Sequence, residues 1–361
     1  MNSKVRVLVI DDSALMRKLI PQILERDHEI EVVGTAMDGA FGLKKIEELK
    51  PHVVTLDLEM PRMDGMETLR QIMRRYRIPV IVVSAHSTDG ASATFKALAL
   101  GAFDFVAKPA DAASARMDKI ADDLIDKIKG AARADFVPRP RLPVEPVRLT
   151  NKPAHRPKKE PTKIIAIGIS TGGPNALEYV LSDLPGNFPG SIVIVQHMPE
   201  GFTEMFARRL NECCAIDVKE AQSGDLLIAG RALICPGNRH MKVRRMPMGN
   251  IVVLSDEERV NGHRPSVDIL FRSVAAEFGS RAVGVLMTGM GDDGACGLGQ
   301  LKKAGALTIA QSEESCVVYG MPKAAIERGY ADRIISLEHM GKTLSVQCNP
   351  ERAAQTAQIE I

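Results

Sequence analysis

Seven prolines crowd the stretch between Ala131 and Thr162 (Pro138, Pro140, Pro143, Pro146, Pro153, Pro157 and Pro161). Proline lacks a backbone N–H and fixes φ, so this density blocks helix interiors and central strands and favours extended, solvated chain. The stretch is therefore expected to be a linker, and it divides the 361 residues into two blocks, each long enough for its own core. Its basic residues (Arg139, Arg141, Arg148, Arg156, Lys158, Lys159) read as solvation rather than a binding face. The expected organisation is a first domain over 1–130, a linker over 131–162, a second domain over 163–348 and a tail over 349–361.

Each block alternates short apolar runs with helical patterns. The first carries VRVLVI, EVVGTA, HVVTL, PVIVVS and FDFVAK, and the second KIIAIGI, SIVIVQ, AVGVLMT and ALTIA. Continuous apolar strands separated by helices imply parallel sheets covered on both faces, so the fold class is α/β with two doubly wound domains. Between about Ile216 and Val260 the runs LLIAG, RALICP, MKVRR and NIVVLSD sit among Gly230, Pro236, Gly237, Gly249 and Asn250. They are expected to form antiparallel hairpins appended to the second sheet.

Composition excludes several classes. A net charge of +2, no tryptophan and 4% aromatic residues argue against nucleic-acid binding. No apolar run approaches the roughly 20 residues of a membrane helix. The opening MNSKVRVLVIDD reads as a buried strand rather than a signal peptide. The six cysteines show no CxxC spacing, which favours reduced thiols and a cytoplasmic location over a disulfide frame or zinc site.

Polar residues at the strand ends carry the chemistry. Asp11 and Asp12 end the first strand, Asp57 the third, Ser84 the fourth and Lys108 the fifth. In the flavodoxin-like order 2-1-3-4-5, strands 1 and 3 are neighbours, so the carboxylates converge where such sheets bind ligands. Two carboxylates about 4 Å apart repel by roughly 4 kcal/mol at an effective dielectric near 20, so the cluster calls for a cation such as Mg²⁺. A hydroxyl and an ammonium beside it suit a phosphoryl group. Helix capping accounts for one of these residues, Asp12 or Ser13, but not for the whole set.

On VLVIDDS, VVTLDLEMPRMDG, VVSA and FVAKP, residues 4–125 resemble a response-regulator receiver domain. The resemblance implies that Asp57 accepts a phosphoryl group from a phosphohistidine of a sensor histidine kinase. It implies Mg²⁺ held by Asp12, Asp57 and the backbone carbonyl of Glu59, with Asp11 in the outer shell. It also puts Phe105 at the aromatic switch position and gives Ser84 and Lys108 supporting roles at the phosphoryl site.

In the second block, Gly168-Ile-Ser170-Thr-Gly172 follows an apolar strand and fits G-x-S-x-G, whose small residues permit a sharp turn that exposes the hydroxyl. A phosphate-binding loop is the competing reading, but neither G-x-G-x-x-G nor GK[ST] is present, so no nucleotide is expected. His197 follows the strand SIVIVQ, and Asp292 and Asp293 follow AVGVLM. Serine becomes a competent nucleophile when a histidine takes its proton and a carboxylate orients that histidine. By position His240 and His263 remain alternatives to His197, and Asp292 cannot be separated from Asp293. The loops at Thr171 and Met290 are expected to offer oxyanion N–H groups.

The chain order serine, histidine, acid differs from the serine, acid, histidine order of α/β-hydrolases. Through GISTGGP, VIVQHMPEGFT, CPGNRHM, NGHRPSVD, TGMGDDGA and ESCVVYGMP, residues 162–345 resemble the catalytic domain of chemotaxis protein-glutamate methylesterases. Ile169 departs from the alanine common there. The resemblance implies Ser170 as nucleophile, His197 as base and Asp293 as orienting acid, with no cofactor in the hydrolase site. It implies glutamate γ-methyl esters of methyl-accepting chemoreceptors as substrates, with deamidation of certain receptor glutamines, and no membrane insertion. Phosphorylation of a receiver that restricts access to Ser170 is expected to activate the enzyme. A different serine hydrolase and a non-catalytic, phosphorylation-controlled docking protein are the alternatives.

Overall fold

The computed structural model describes residues 4–84, 88–108, 114–134 and 159–349, with side chains outside 88–89 and 114–120. Most of the proline-rich stretch, 135–158, and the tail from 350 onward lie outside the described residues. The chain forms two compact units.

The first unit runs β1 (Val5–Ile10), α1 (Ala14–Leu24), β2 (Ile30–Ala36), α2 (Gly39–Leu49), β3 (Val53–Asp57), α3 (Gly65–Arg75), β4 (Val80–Ser84), α4 (Thr88–Ala99), β5 (Asp104–Ala107) and α5 (Ser114–Arg133). Its five strands are parallel in the order β2-β1-β3-β4-β5. β3 and β4 are buried along their whole length, as the unbroken apolar runs require of a sheet covered on both faces. Ser13 caps α1, its hydroxyl accepting from Met16 N at 3.4 Å. α5 continues to Arg133, so helix occupies the first positions expected of the linker.

The second unit runs β6 (Ile164–Ile169), α6 (Gly173–Ser182), β7 (Ser191–Gln196), α7 (Phe202–Cys213), β8 (Asp217–Glu220), β9 (Arg231–Ile234), β10 (His240–Arg244), β11 (Ile251–Ser255), α8 (Val267–Phe278), β12 (Ala282–Leu286), α9 (Ala295–Lys303), β13 (Leu307–Gln311), α10 (Met321–Glu327), β14 (Arg333–Ile335) and α11 (Leu337–Cys348). Its parallel sheet has seven strands in the order β14-β13-β12-β6-β7-β9-β8. β6 is central, flanked by β7 and β12, and all three are fully buried.

The hairpin expectation holds for β10 and β11, which pair antiparallel from His240↔Ser255 to Arg244↔Ile251. It fails for RALICP, because β9 runs parallel to both β7 and β8 inside the main sheet. LLIAG contributes one isolated bridge, Leu226↔Ile251. Short apolar runs between glycine turns look alike in either setting; the pairing partner is chosen by packing distant in sequence.

α8 lies across the middle of this sheet. Val267, Leu270, Phe271 and Val274 join Leu286, Leu298 and Leu301 in one buried core. Each fully buried side chain of this size contributes roughly 1.5–3 kcal/mol. That packing fixes the start of α8 beside the carboxyl ends of β6, β7 and β12.

Candidate active site and phosphoryl-acceptor site

Ser170 and His197 stand side by side at the ends of neighbouring strands. β6 and β7 pair in register to Ile169↔Gln196, and the next residue on each is Ser170 and His197. The ladder continues one step further, with His197 N donating to Ile169 O at 3.1 Å. Adjacent strands lie about 4.8 Å apart, so the sheet itself sets the spacing of this pair. Gln196 reinforces it: its Nε2 donates to Ser170 O at 3.0 Å and to His197 O at 3.1 Å. Ser170 N is held by Thr288 O at 3.0 Å, from the end of β12.

The turn after Ser170 depends on glycine twice. Gly172 has φ +76°, and a Cβ there would come within 2.6 Å of Val317. A Cβ on Gly289 would lie 2.7 Å from that of Ser170, so the loop after β12 reaches the serine because it lacks a side chain. Among the described residues, the backbone N–H groups of Thr171 and Met290 have no protein acceptor.

His197 Nε2 lies 2.9 Å from Asp293 Oδ2. Asp293 also accepts from Ser266 Oγ at 2.8 Å, Val267 N at 2.7 Å, Asp268 N at 3.3 Å and Asn261 Nδ2 at 3.5 Å. Ser266 thus spends its hydroxyl on Asp293 instead of capping α8. Burial alone would raise the Asp293 carboxyl, but His197, the Val267 N–H and the Ser266 hydroxyl outweigh it and hold it down at about 2. The carboxylate sits at a helix N-terminus, where peptide dipoles favour negative charge. An ionised carboxylate only accepts, so the bond to Asp293 puts a ring proton on Nε2. Nδ1 is buried and has no hydrogen-bond partner. Among the described residues no hydrogen bond joins the Ser170 hydroxyl to the ring.

The alternatives left open by position now separate geometrically. His240 is fully buried; its Nε2 bonds Glu258 O at 2.9 Å and its Nδ1 accepts from Ser266 N at 3.2 Å, so both nitrogens are spent on backbone. Asp292 pairs with Arg328 at 2.6 Å, away from the imidazole that Asp293 holds. His263 stacks flat on His197, ring centroids 3.9 Å apart and planes 5° from parallel. Burial, and next the neighbouring His197, lower the His263 ring to about 4, so it is neutral at physiological pH. In the sequence Gln196 reads only as the end of a strand and His263 as a rival base. The one available signal was a lone amide ending an otherwise apolar buried strand.

In the first unit, one ligand oxygen from each of Asp11, Asp12 and Asp57 falls within 4.8 Å of the others. Lys108 Nζ lies 2.7 Å from Asp57 Oδ2 and 3.1 Å from Asp11 Oδ2. Asp11 Oδ2 is buried and accepts no aligned hydrogen bond, so one anionic oxygen has only the ion pair. Burial pushes the Asp57 carboxyl up to about 6, although Lys108 pulls it down. Burial also works against the Lys108 charge, but Asp57 and Asp11 raise its pKa and keep it protonated. Three acidic oxygens with one exposed member, Asp12, make a donor set that suits a hard divalent cation. Glu59 N reaches Asp57 Oδ1 at 3.3 Å, which turns the Glu59 peptide into this loop.

Ser84 is buried, and its hydroxyl donates to Gly90 O at 3.1 Å rather than to a carboxylate. Phe105 is buried, edge-on to Phe95 with centroids 6.3 Å apart. Lys127 holds the Phe105 carbonyl at 2.6 Å.

An acidic phosphoryl-type site on one unit and a serine–histidine–aspartate grouping on the other define a class: a response regulator with a hydrolytic output unit. Residues 165–344 match the family described as CheB methylesterase, and residues 7–118 match the response regulator receiver domain. The chain is 63% identical to the protein-glutamate methylesterase/protein-glutamine glutaminase 2 of Koribacter versatilis, over 97% of this chain and 98% of that one. It is 46% identical to the protein-glutamate methylesterase/protein-glutamine glutaminase of Halalkalibacterium halodurans, over 96% and 99% respectively. The crystal structure of the Thermotoga maritima CheB methylesterase catalytic domain is 40% identical, with a TM-score of 0.50, covering 51% of this chain and 97% of that one. The chain belongs to the chemotaxis protein-glutamate methylesterase/protein-glutamine glutaminase family, with a receiver domain in the same polypeptide. Among the described residues no helix is long and apolar enough to cross a membrane.

Proposed function

We propose that the second unit hydrolyses glutamate γ-methyl esters on the cytoplasmic helices of chemoreceptors through an acyl-enzyme on Ser170. The observation that carries this reading is the His197 Nε2–Asp293 bond of 2.9 Å, which leaves a buried Nδ1 without a partner next to Ser170. The reading requires a Ser170 rotamer that brings Oγ to Nδ1. Ser170 Oγ attacks the ester carbonyl while its proton passes to His197 Nδ1. The Thr171 and Met290 N–H groups meet the oxyanion, each such donor contributing about 3–4 kcal/mol. Collapse expels methanol, which takes the proton from Nδ1. Water then repeats the sequence on the acyl group and restores Ser170. A glutamine amide follows the same path with ammonia as leaving group. Ser170→Ala should abolish methanol release from methyl-labelled receptor membranes while leaving the fold intact; turnover retained in that variant would refute the assignment.

The first unit is read as the switch. Asp57 accepts a phosphoryl group from the phosphohistidine of a sensor kinase. Asp12, Asp57 and the Glu59 carbonyl would hold Mg²⁺, with Asp11 behind them, and the ion would supply charge neutralisation for the incoming phosphoryl group. Lys108, already paired to Asp57, stays with the new anion, and Ser84 leaves the Gly90 carbonyl to donate to it. Phe105 follows Ser84 inward, and hydrolysis by the second unit rises.

A further inference from the structure

We propose that His263 is a positioning residue for hydrolysis: its ring, stacked on His197, holds that imidazole in the plane where Nε2 meets Asp293. The proposal rests on the reading of His197 as base. One hydrogen bond to Asp293 fixes one direction of the ring but leaves it free to rock about that bond. A second ring lying 3.9 Å away and 5° from parallel removes this freedom, because any rocking drives the two rings into each other.

His263 is itself held. Val260 and His263 exchange backbone hydrogen bonds of 3.1 and 2.9 Å, closing a tight loop whose two middle residues, Asn261 and Gly262, both have positive φ. From that loop Asn261 Nδ2 reaches Asp293 Oδ1 at 3.5 Å and Asp268 Oδ2 at 3.3 Å. The same segment therefore supports the acid through Asn261, Ser266 and Val267 and the base through His263.

The stack works only if His263 stays uncharged when His197 takes the serine proton. The groups that bear on it are His197, Asp293, Arg259 and Asp292, and burial with the neighbouring His197 dominates in favour of the neutral ring. An imidazolium forming on His197 then meets the face of a neutral aromatic ring, a favourable contact. His263 neither gains nor loses a proton in the cycle.

The test compares the full-length wild type with His263→Ala, His263→Phe and His197→Ala, using methyl-labelled receptor membranes. In His263→Ala, kcat should fall about 10–100-fold with KM within about twofold, the cost expected of a misplaced catalytic group. His263→Phe keeps a flat ring and should recover kcat to within about fivefold of wild type. Histidine-selective ¹⁵N NMR relaxation supplies a readout independent of turnover: the His197 ring, held at Nε2 by Asp293 in both proteins, should show larger-amplitude ring motion in folded His263→Ala than in the wild type. Wild-type kcat or unchanged His197 ring motion in His263→Ala would overturn the proposal, as would an effect confined to KM. Full turnover in His197→Ala would instead remove the base reading and, with it, the proposal.

Discussion

Asp293 takes Nε2 of His197, not Nδ1, at 2.9 Å. The nitrogen left without a partner is therefore Nδ1, the one nearer the backbone, on the strand immediately beside that of Ser170. The carboxylate enforces this tautomer because it stays ionised far below neutral pH.

Replacing the carboxylate tests that enforcement. Asp293→Asn offers His197 an amide that can donate to Nε2, which favours a proton on Nδ1 and disarms the base. Methanol release should fall by about 10²–10⁴-fold with little change in KM. A loss below tenfold in a folded variant would leave Asp293 without its orienting role.

The neutral state of His263 predicts a pH dependence of stability. Its ordinary value is 6.5 and its folded value about 4, so the unfolded chain binds this proton more tightly. The contribution is fully present above about 6.5 and is lost as pH falls from there through about 4. That interval corresponds to at most about 3 kcal/mol. Urea unfolding of the second unit across this range should show the decline, and His263→Phe should flatten it; equal slopes in both proteins would contradict the attribution.

Gln196 bridges the backbone carbonyls of Ser170 and His197. Gln196→Leu keeps the bulk and removes both bonds, which should cost about 1–3 kcal/mol in unfolding free energy. It should also lower kcat, since the two strand ends lose their shared clamp. Unchanged unfolding and unchanged turnover would show that the ladder alone suffices.

At the receiver, Asp57→Asn should take up no label from radioactive acetyl phosphate in the presence of Mg²⁺. The phosphodonor should then no longer raise methanol release. Stimulation equal to that of the wild type would place the acceptor elsewhere.

Much of this architecture was legible in the chain. Apolar runs that end in Asp57, Ser84, Lys108, Ser170 and His197 mark parallel strands with chemistry at one edge, because local periodicity reports burial directly. What escaped depends on contacts distant in sequence. β9 reads locally as half of a hairpin, since nothing local distinguishes a short interior strand that pairs in parallel on both sides. Asp292 and Asp293 are neighbours of one chemical type, and only Arg328 on one side and His197 on the other tell them apart. The stack of His263 on His197 joins residues with no shared pattern at all.

Ser170 and His197 follow the last paired residues of one hydrogen-bonded ladder, side by side on neighbouring strands, so their separation is a property of the sheet rather than of any loop. A slip of one residue between β6 and β7 would turn the imidazole and every other side chain of β7 to the opposite face. Variants that lose hydrolysis while still unfolding cooperatively should be inspected first for a shift between these two strands.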